Sequence, residues 1–402
     1  MPPVKHLLRK LNGLICILLA GLYRFAKTAL RPASYPQRPV KLALLISRPQ
    51  DIDLLIDVYI KALHRQDVTA VFWATERAVN RFSGVLERLS DYHLAPHFTL
   101  KHGSLLRAVA RLGRIDALLT TVESTLAAHK IPYLLTRVAN AAGIQTFTLQ
   151  HGFENVGLTY LDGTYGPHIR FAAQTVLTWG PVHNLPAAVS DETRRKCIAV
   201  GCPKPHLTIP SEDPRTAADL PMIAVFEGLH ASRFDDQYTR QFFKDLQEMA
   251  QNYSGLHFIL KPHPGALVRT RRHSESLDSL AGIEVLDLAH PESAQWPTPR
   301  LIAHALAVIT TPSTIALDAA LAETPVAVIR YGQMIPYYAY YEPLPLIDTP
   351  ADWEDFLNKV SLDPQLLEPP RKAFLDKVII PGDAADRLLD VVVSSPRQEK
   401  NI

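Results

Sequence analysis

Short apolar runs alternate with amphipathic segments along this chain, in two successive series. The first series runs from Val40 to Trp179, and the second opens at Met222 and reaches Ile329. A parallel strand covered on both faces reads as a continuous apolar run, and the amphipathic segments supply the covering helices. At 402 residues the chain is long enough for two domains, each with its own core. The pattern therefore predicts an α/β fold with two parallel sheets.

Proline-rich stretches indicate where these domains begin and end. Three prolines between residues 32 and 39 are typical of a short, stiff linker. The polar, proline-punctuated stretch from Ser211 to Pro221 indicates a second linker between the two series. We therefore predict an amino-terminal segment at 1–32, an amino-terminal domain at 40–185 and a carboxyl-terminal domain at 195–395. The last of these includes a terminal helix at 384–393.

Charge is distributed unevenly, although the net charge is only +2. Nine of the 42 Lys and Arg residues lie in the first 50 positions, which hold no Asp or Glu. The rest of the chain carries 33 basic against 40 acidic side chains, a balance that disfavours a nucleic-acid partner. The chain has three cysteines and no CxxC, which favours a reducing compartment. No set of Cys and His has zinc-ligand spacing, and we expect no metal.

The basic amino terminus surrounds an uncharged run from Leu11 to Tyr23. At 13 residues this run is shorter than the ~20 needed to span a bilayer. Basic flanks with an apolar middle suit a helix that lies in the interface of an anionic leaflet. We therefore predict a peripheral protein on the cytoplasmic face of the inner membrane. A single-pass anchor, a secretory signal and a helix packed on the protein are the alternatives.

Two loops of the first series carry groups suited to chemistry. A predicted strand at 145–149 is followed by Gln150-His151-Gly152, where an imidazole could take a proton from an attacking hydroxyl. A neighbouring strand at 115–120 is followed by Glu123, which could hold acceptor hydroxyls or act as the base. The alternatives are a structural histidine and an exposed loop glutamate. His129, Tyr160 and His168 are near in sequence and are not ranked.

In the second series, the stretch from His257 to Gly265 combines a buried strand with a cationic corner. Apolar residues at 258–260 predict the strand, and Pro262 and Pro264 are expected to end it because proline donates no hydrogen bond. Lys261 and His263 would then lie in a loop past the carboxyl end, where open α/β sheets bind ligands. A cation and an imidazole there suit the diphosphate of a nucleotide-activated donor. A plain surface turn is the alternative.

Two further loops complete the candidate donor site. The hydroxyl-rich turn Thr310–Thr314 opens a predicted helix at 315–321, whose free N–H groups suit an anion near Ser313 and Thr314. Asp318, one turn in, could accept from ribose hydroxyls. Glu227 and Gly228 follow a predicted strand at 222–226. The alternatives are an ordinary helix cap and a solvated loop.

The order and spacing of four motifs resemble the GT-B class of nucleotide-dependent transferases, in particular capsule-type glycosyltransferases and CDP-glycerol glycerophosphotransferases. The motifs are Gln150-His151-Gly152, Gly201-Cys202-Pro203-Lys204, Lys261-Pro262-His263-Pro264 and Thr311-Pro312-Ser313-Thr314. The resemblance implies two Rossmann-like domains, with the donor bound mainly by the second and the acceptor by the first. It also implies that His263, Ser313 and Thr314 hold donor phosphates and that His151 faces the acceptor. Glycerophosphotransferases usually carry Trp-His-Gly-Thr-Pro where this chain has Gln-His-Gly-Phe-Glu, which favours a sugar donor.

We therefore predict a metal-independent glycosyltransferase of bacterial cell-surface polysaccharide biosynthesis. It would move a sugar from a nucleotide-activated donor, its co-substrate, to a glycan or lipid-linked acceptor, with no other cofactor. His151 or Glu123 would deprotonate the acceptor, while Lys261, His263 and the helix end at Ser313 stabilise the departing nucleotide. Three alternatives stay open: a CDP-glycerol-type polyol-phosphate transferase, a sugar-nucleotide epimerase and a non-catalytic membrane-surface glycan-binding protein.

Overall fold

The computed structural model describes residues 13–23, 38–81, 84–100, 105–126, 129–152, 169–187, 189–204, 220–228, 234–263, 283–286, 296–332 and 339–395. The chain divides into two compact units. The first contains residues 1–151, 156–205 and 379–402, and the second contains residues 152–155 and 206–378. Each unit holds one parallel sheet, which confirms the predicted α/β fold with two Rossmann-like domains.

The sheet of the first unit contains seven described strands in the order β3-β2-β1-β4-β5-β6-β7. They are β1 (Val40–Ile46), β2 (Val68–Thr75), β3 (Phe98–Leu100), β4 (Ala117–Thr120), β5 (Gln145–Leu149), β6 (Thr175–Thr178) and β7 (Cys197–Ala199). All neighbouring strands pair in parallel. From β1 the next strands are added towards one edge of the sheet, and from β4 onward they are added towards the other edge. Open α/β sheets bind their ligands at such a switch point, which here lies between β1 and β4.

Helices cover both faces of this sheet, as the amphipathic segments predicted. They are α1 (residues 13–23), α2 (Gln50–Leu63), α3 (Glu76–Arg81), α4 (Gly84–Ser90), α5 (Leu105–Leu112), α6 (Lys130–Ala141) and α7 (Asp191–Arg194). The sequence predicted one helix at 76–89; α3 and α4 lie in this range, and residues 82–83 between them lie outside the described residues. Of the predicted segment at 1–32, residues 1–12 and 24–32 lie outside the described residues. Within the described part of the chain, every helix is too short or too polar to span a bilayer.

The second unit repeats the arrangement with six described strands in the order β10-β9-β8-β11-β12-β13. They are β8 (Met222–Glu227), β9 (His257–Pro262), β10 (Ile283–Val285), β11 (Ala307–Thr310), β12 (Val326–Ile329) and β13 (Leu346–Ile347). Its helices are α8 (Asp236–Asn252), α9 (Thr298–His304), α10 (Ile315–Leu321), α11 (Pro350–Leu362) and α12 (Glu368–Val378). Here β9 and β10 are added on one side of β8, and β11, β12 and β13 are added on the other. A second switch point therefore lies at the carboxyl ends of β8 and β11.

The core of the second unit shows why these segments fold as they do. Helix α8 buries Tyr238, Phe242, Leu246 and Met249, which recur at helical spacing on one face. That face packs in one cluster with the buried side chains of β8 and β9, including Phe258. At the start of the helix, the Asp235 carboxylate accepts the backbone N–H of Tyr238 at 2.7 Å. The helix therefore holds β8 and β9 in place, and these strands lead directly into the candidate site.

The end of the chain returns to the first unit as helix α13 (Ala384–Ser394), which buries Leu388, Leu389 and Val392. The backbone N–H of Ile380 donates to the Trp179 carbonyl at 2.8 Å, and Arg387 Nε donates to the Val200 carbonyl at 2.8 Å. The sequence-based boundary instead assigned residues 195–395 to the second domain. The difference arises because β7 extends the first sheet beside β6 and because α13 covers the same unit.

Glycine is required where the returning chain crosses the strand ends. Gly201 has φ of +95°, and a Cβ there would lie 2.8 Å from the Ile380 carbonyl oxygen. The positive φ would strain any L residue at this position, and the short distance to the carbonyl oxygen leaves no space for a side chain. The Gly201-Cys202-Pro203-Lys204 motif thus lies in the first unit, where Gly201 packs against the chain that leads into α13.

Candidate functional site

At the switch point of the second unit, a side-chain hydrogen bond joins the loops that follow β8 and β11, next to a backbone bond from the Thr311 N–H to the Phe226 carbonyl at 3.1 Å. The backbone N–H of Gly228 donates to Thr311 Oγ1 at 2.9 Å. A Cβ on Gly228 would lie 3.1 Å from the same oxygen, so the two loops approach closely because residue 228 is glycine. Thr311 is fully buried and Glu227 is almost so. The bond therefore sets the spacing of the two loops at the place where a ligand would bind.

His263 is held at this same edge by its backbone. Its N–H donates to the Glu227 carbonyl at 2.8 Å, and its side chain is exposed. Lys261 and Pro262 lie within β9, paired with Phe226 and Glu227, so the predicted loop begins two residues later than expected. The strand tolerates Pro262 because its nitrogen faces β10, whose pairing with β9 has already ended at Leu260.

Lys261 does not lie beyond the strand as predicted. Its Nζ donates to the Trp296 carbonyl at 2.5 Å, and burial lowers its pKa to about 8. A half-buried ammonium that is bonded to a backbone carbonyl is a weaker candidate for a donor phosphate than the exposed imidazole of His263. Pro262 does not end β9, because the hydrogen bond that it cannot donate would face the side on which pairing already ends at Leu260.

Ser313, Thr314 and Asp318 follow Thr311 at the start of α10. Ser313 Oγ accepts the backbone N–H of Ile315 at 3.1 Å and lies 3.2 Å from Thr310 Oγ1. Ser313 Oγ therefore bonds the first backbone N–H of α10, whereas the N-cap residue Thr314 makes no side-chain capping bond, so the predicted side-chain cap is absent at Thr314. Asp318 is half-buried in the first turn, with its backbone N–H bonded to the Thr314 carbonyl at 3.0 Å. Glu227, Gly228, His263 and the Ser313 turn thus share one edge of the second sheet.

Thr311 was not among the predicted site residues, although it connects the two loops. Replacing Thr311 with valine should leave the buried N–H of Gly228 without its acceptor, which costs about 1–3 kcal/mol of unfolding free energy. Thr311→Ser keeps the oxygen and should stay within about 1 kcal/mol of wild type. Urea unfolding of both variants measures the difference. Equal stability of the valine and serine variants would show that the hydrogen bond does not hold the loops.

The switch point of the first unit also carries a polar cluster. Asp51 is buried, and its carboxylate accepts the backbone N–H groups of Ser47 at 2.6 Å and Arg48 at 2.9 Å. Its other oxygen accepts the Thr121 hydroxyl at 2.6 Å. The carboxylate therefore ties the loop after β1 to the end of β4. Burial raises the pKa of Asp51, and these hydrogen bonds oppose the shift.

His151 stands over this junction as a neutral imidazole. Burial of the ring and the charge of Arg48 lower its pKa to about 4, against a hydrogen bond to the Thr121 backbone. A neutral imidazole can accept a proton on one of its two ring nitrogens. Gln150 holds the same loop by accepting the Trp179 backbone N–H at 2.9 Å. The arrangement suits a neutral imidazole that acts as a base.

A second histidine completes this cluster. His129 is buried and lies edge-on to His151, with 6.0 Å between the ring centroids. Its Nδ1 is 2.7 Å from Ser124 Oγ. Burial, with smaller effects from Arg48 and His151, lowers the pKa of His129 to about 3. Sequence reasoning could not rank His129, because only the fold brings it against His151. Tyr160 and His168 lie outside the described residues.

Glu123 differs from both of its sequence-based interpretations. It is 1% exposed, and its carboxylate accepts the backbone N–H of Ala173 at 2.7 Å. Burial raises its pKa to about 8, against the amides of Ala173 and Ala172 and the charge of Lys196. A buried carboxyl that holds its proton at neutral pH connects the end of β4 to the chain before β6. This environment favours an internal anchor over a contact with an acceptor hydroxyl.

Glu123→Gln should change how stability depends on pH. The folded-state pKa of about 8 lies above the ordinary 4.5, so the proton of Glu123 stabilises the fold fully below 4.5. That contribution is lost as pH rises through about 8, at up to about 1.4 kcal/mol per pH unit. The amide variant lacks the titration and should gain stability over wild type at alkaline pH, as urea unfolding would measure. The exposed Glu87→Gln on α4 is the control, and identical pH profiles for wild type and Glu123→Gln would contradict the assignment.

Comparison with known proteins identifies the fold class. No family model matches the sequence, and no curated protein matches it. The structure is similar to the UDP-GlcNAc 2-epimerase of Neisseria meningitidis bound to UDP-GlcNAc, at 12% identity over 89% of this chain and 100% of that one, with a TM-score of 0.62. It is also similar to the UDP complex of MnaA from S. aureus, at 12% identity over 88% and 96% of the chains, with a TM-score of 0.59.

A third similar structure is the wall teichoic acid polymerase TagF with CDPG, at 12% identity over 98% of both chains and a TM-score of 0.52. At such low identity these likenesses show the fold alone, which is that of the GT-B class. The epimerase is described with UDP-GlcNAc bound and the polymerase with CDPG.

Proposed function

We propose that this protein is a glycosyltransferase that takes a sugar from a nucleotide-activated donor and passes it to a glycan or lipid-linked acceptor. The observation that carries the proposal is the bridged switch point of the second unit, where Gly228, Thr311 and His263 meet at the carboxyl edge of the sheet. This is the position at which open α/β sheets receive nucleotides. Neighbours of the same fold class are described with UDP, UDP-GlcNAc or CDPG bound, which supports a nucleotide-activated partner.

On the donor side, the exposed imidazole of His263 and the turn at Ser313 and Thr314 contact the diphosphate. The N–H groups of that turn supply dipoles, and His263 supplies a hydrogen-bond donor where charge grows as the nucleotide leaves. Asp318 accepts from the ribose, and Glu227 and Gly228 form the opposite side of the site. Lys261 holds the chain at Trp296 and acts on the donor only through that support.

On the acceptor side, His151 takes the proton from the attacking hydroxyl. Its imidazole is neutral at pH 7, so the proton-accepting form is fully populated, although a pKa near 4 makes it a modest base. The ring of His129 packs edge-on beside it, with 6.0 Å between the ring centroids. The buried Glu123 carboxyl supports the loop and takes no part in proton transfer. No metal ion is needed in this scheme, since protein groups meet the phosphate charge.

Product analysis separates this function from its alternatives. Purified protein is incubated with a panel of UDP-sugars and with CDP-glycerol, with and without a lipid-linked acceptor and with EDTA present. A glycosyltransferase releases the nucleoside diphosphate and forms a glycosylated acceptor only when acceptor is added. Formation of an epimeric UDP-sugar without acceptor would identify an epimerase, and release of CMP from CDP-glycerol would identify polyol-phosphate transfer. Absence of any turnover across the panel would favour a glycan-binding role.

A further inference from the structure

Helix α1 presents an uncovered apolar surface on the first unit. Its inward face buries Gly13, Cys16 and Ala20. Its other side exposes five large apolar side chains, which we call the leucine face: Leu14, Ile15, Leu18, Leu19 and Leu22. Leu18 is 68% exposed and Leu22 is 66% exposed. Lone surface leucines are ordinary, but five on one short helix form a patch that indicates an interaction site.

The packing of α1 holds the leucine face outward. Cys16 and Ala20 belong to the same buried cluster as Ala108 and Leu112 of α5 and Leu135 of α6. At the end of α1, Tyr23 lies close to Gly113. A Cβ on residue 113 would be 2.2 Å from the hydroxyl oxygen of Tyr23. Cys16 and Ala20, with Ile17 and Tyr23 beside them, make the contact with the unit. The five side chains of the leucine face are therefore left for an external partner. The prediction of a helix packed on the protein and that of an interfacial helix are thus compatible.

The surroundings of the leucine face are cationic. Helix α5, which α1 contacts, exposes Arg107 and Arg111 together with Leu106, and Arg114 is exposed just beyond it. Residues 105–112 contain no Asp or Glu. The sequence on either side of α1 adds Lys5, Arg9, Lys10, Arg24, Lys27 and Arg31. An apolar patch bordered by cations complements the surface of an anionic bilayer, in which apolar chains lie beneath negatively charged headgroups.

A groove of about 250 Å³ lies beside Ile17, between α1 and α6. Its other lining residues are Tyr133, Arg137, Asn140 and Ala172. Arg137 is exposed and makes no ion pair with any residue in the described ranges. Tyr133, Arg137 and Asn140 are spaced so that they share one face of α6. The groove therefore offers a guanidinium beside α1, where Ile17 lines it together with Arg137.

We propose that the leucine face, α5 and this groove form a docking surface for an anionic lipid bilayer, with α1 lying in the plane of the interface. The uncharged run around α1 is 13 residues, or ~20 Å as a helix, against ~30 Å of hydrocarbon, so it lies along the bilayer. The leucines enter below the headgroups, and Arg107, Arg111 and Arg137 contact their phosphates. This surface belongs to the unit that carries His151 and does not depend on the catalytic proposal.

Vesicle co-sedimentation of the full-length protein tests this surface. Vesicles of phosphatidylcholine alone are compared with equimolar phosphatidylcholine and phosphatidylglycerol. Wild type should bind the anionic vesicles preferentially. Leu18→Gln and Leu22→Gln should each weaken binding about tenfold or more, because each removes one leucine that the bilayer would bury. Arg107→Gln and Arg137→Gln should each weaken it about fivefold at low salt, and less as salt rises.

Matched controls come from the second unit, where Leu362 and Leu366 are 85% and 57% exposed. Leu362→Gln, Leu366→Gln and Arg240→Gln should bind as wild type does. The altered leucines are exposed, so thermal unfolding should stay unchanged and fold loss would not explain a defect. Failure of wild type to bind anionic vesicles, or full binding by the leucine variants, overturns the proposal. The proposal is also overturned if the protein is a dimer without lipid and Leu18→Gln converts it to a monomer, because a second copy of the chain would then cover the leucine face.

Discussion

Replacing His151 with alanine lowers kcat by about 10²–10⁴-fold, the usual contribution of a positioned general base. The imidazole is neutral at pH 7, because burial of the ring and the charge of Arg48 lower its pKa to about 4. Because its pKa is near 4, the acid limb of the kcat/KM profile should lie near pH 4 instead of near the ordinary 6.5. Initial rates of donor consumption with acceptor present, measured across pH, give both quantities.

His183→Ala is the matched control for that experiment, since His183 is an exposed histidine of the same unit. It should keep wild-type kcat. His151→Asn fills much of the same space but cannot take a proton, so it should be as impaired as the alanine variant. Near-wild-type turnover of either His151 variant, with the protein folded, would remove His151 from the mechanism.

Replacing His263 with alanine weakens donor binding and lowers kcat by about 10²–10³-fold, the typical cost of losing one group that stabilises developing charge. Its backbone is held by the Glu227 carbonyl at 2.8 Å, and its side chain is exposed, so the fold should not change. The effect should appear both in the donor Kd and in kcat, whereas His151→Ala should leave donor Kd unchanged. Calorimetric titration with the donor and steady-state kinetics separate the two.

The control for His263 is His257→Ala, at the opposite end of the same strand, where the ring lies 3.7 Å from Glu284. It should bind donor as wild type does. His263→Arg restores a donor of hydrogen bonds to phosphate and should recover part of the lost affinity. Donor affinity that is equal in wild type and His263→Ala would place the phosphates elsewhere.

The strands were predictable because both faces of each sheet are covered. Buried parallel strands read as apolar runs, and β5 and α10 begin and end at the predicted residues. Short or polar elements were missed: β13 is only two residues long, and α9, α11 and α12 were not predicted. The terminal helix was predicted as an element but not in its unit, because its contact with the first unit joins residues far apart in sequence.

The site was only partly predictable for the same reason. A histidine or hydroxyl after a strand signals the carboxyl edge of a sheet, which is how His151, His263 and Ser313 were found. The bond from Gly228 to Thr311 spans 83 residues and depends on the order of β8 and β11. Burial of Glu123 and the carbonyl that holds Lys261 likewise depend on segments that no local pattern connects. Sequence thus indicates which edge carries chemistry, and packing decides which side chains face it.

The switch point of the second unit is the proposed binding site for a nucleotide-activated sugar. Calorimetric titration of wild type, Thr311→Val and His263→Ala with a panel of nucleotide sugars and CDP-glycerol tests it most directly. We expect one nucleotide sugar to bind wild type, with affinity reduced about tenfold or more in both variants. His263→Ala removes a contact to the donor, and Thr311→Val removes the hydrogen bond that spaces the two loops around it. Binding of no member of the panel, or binding that neither substitution weakens, would contradict the claim.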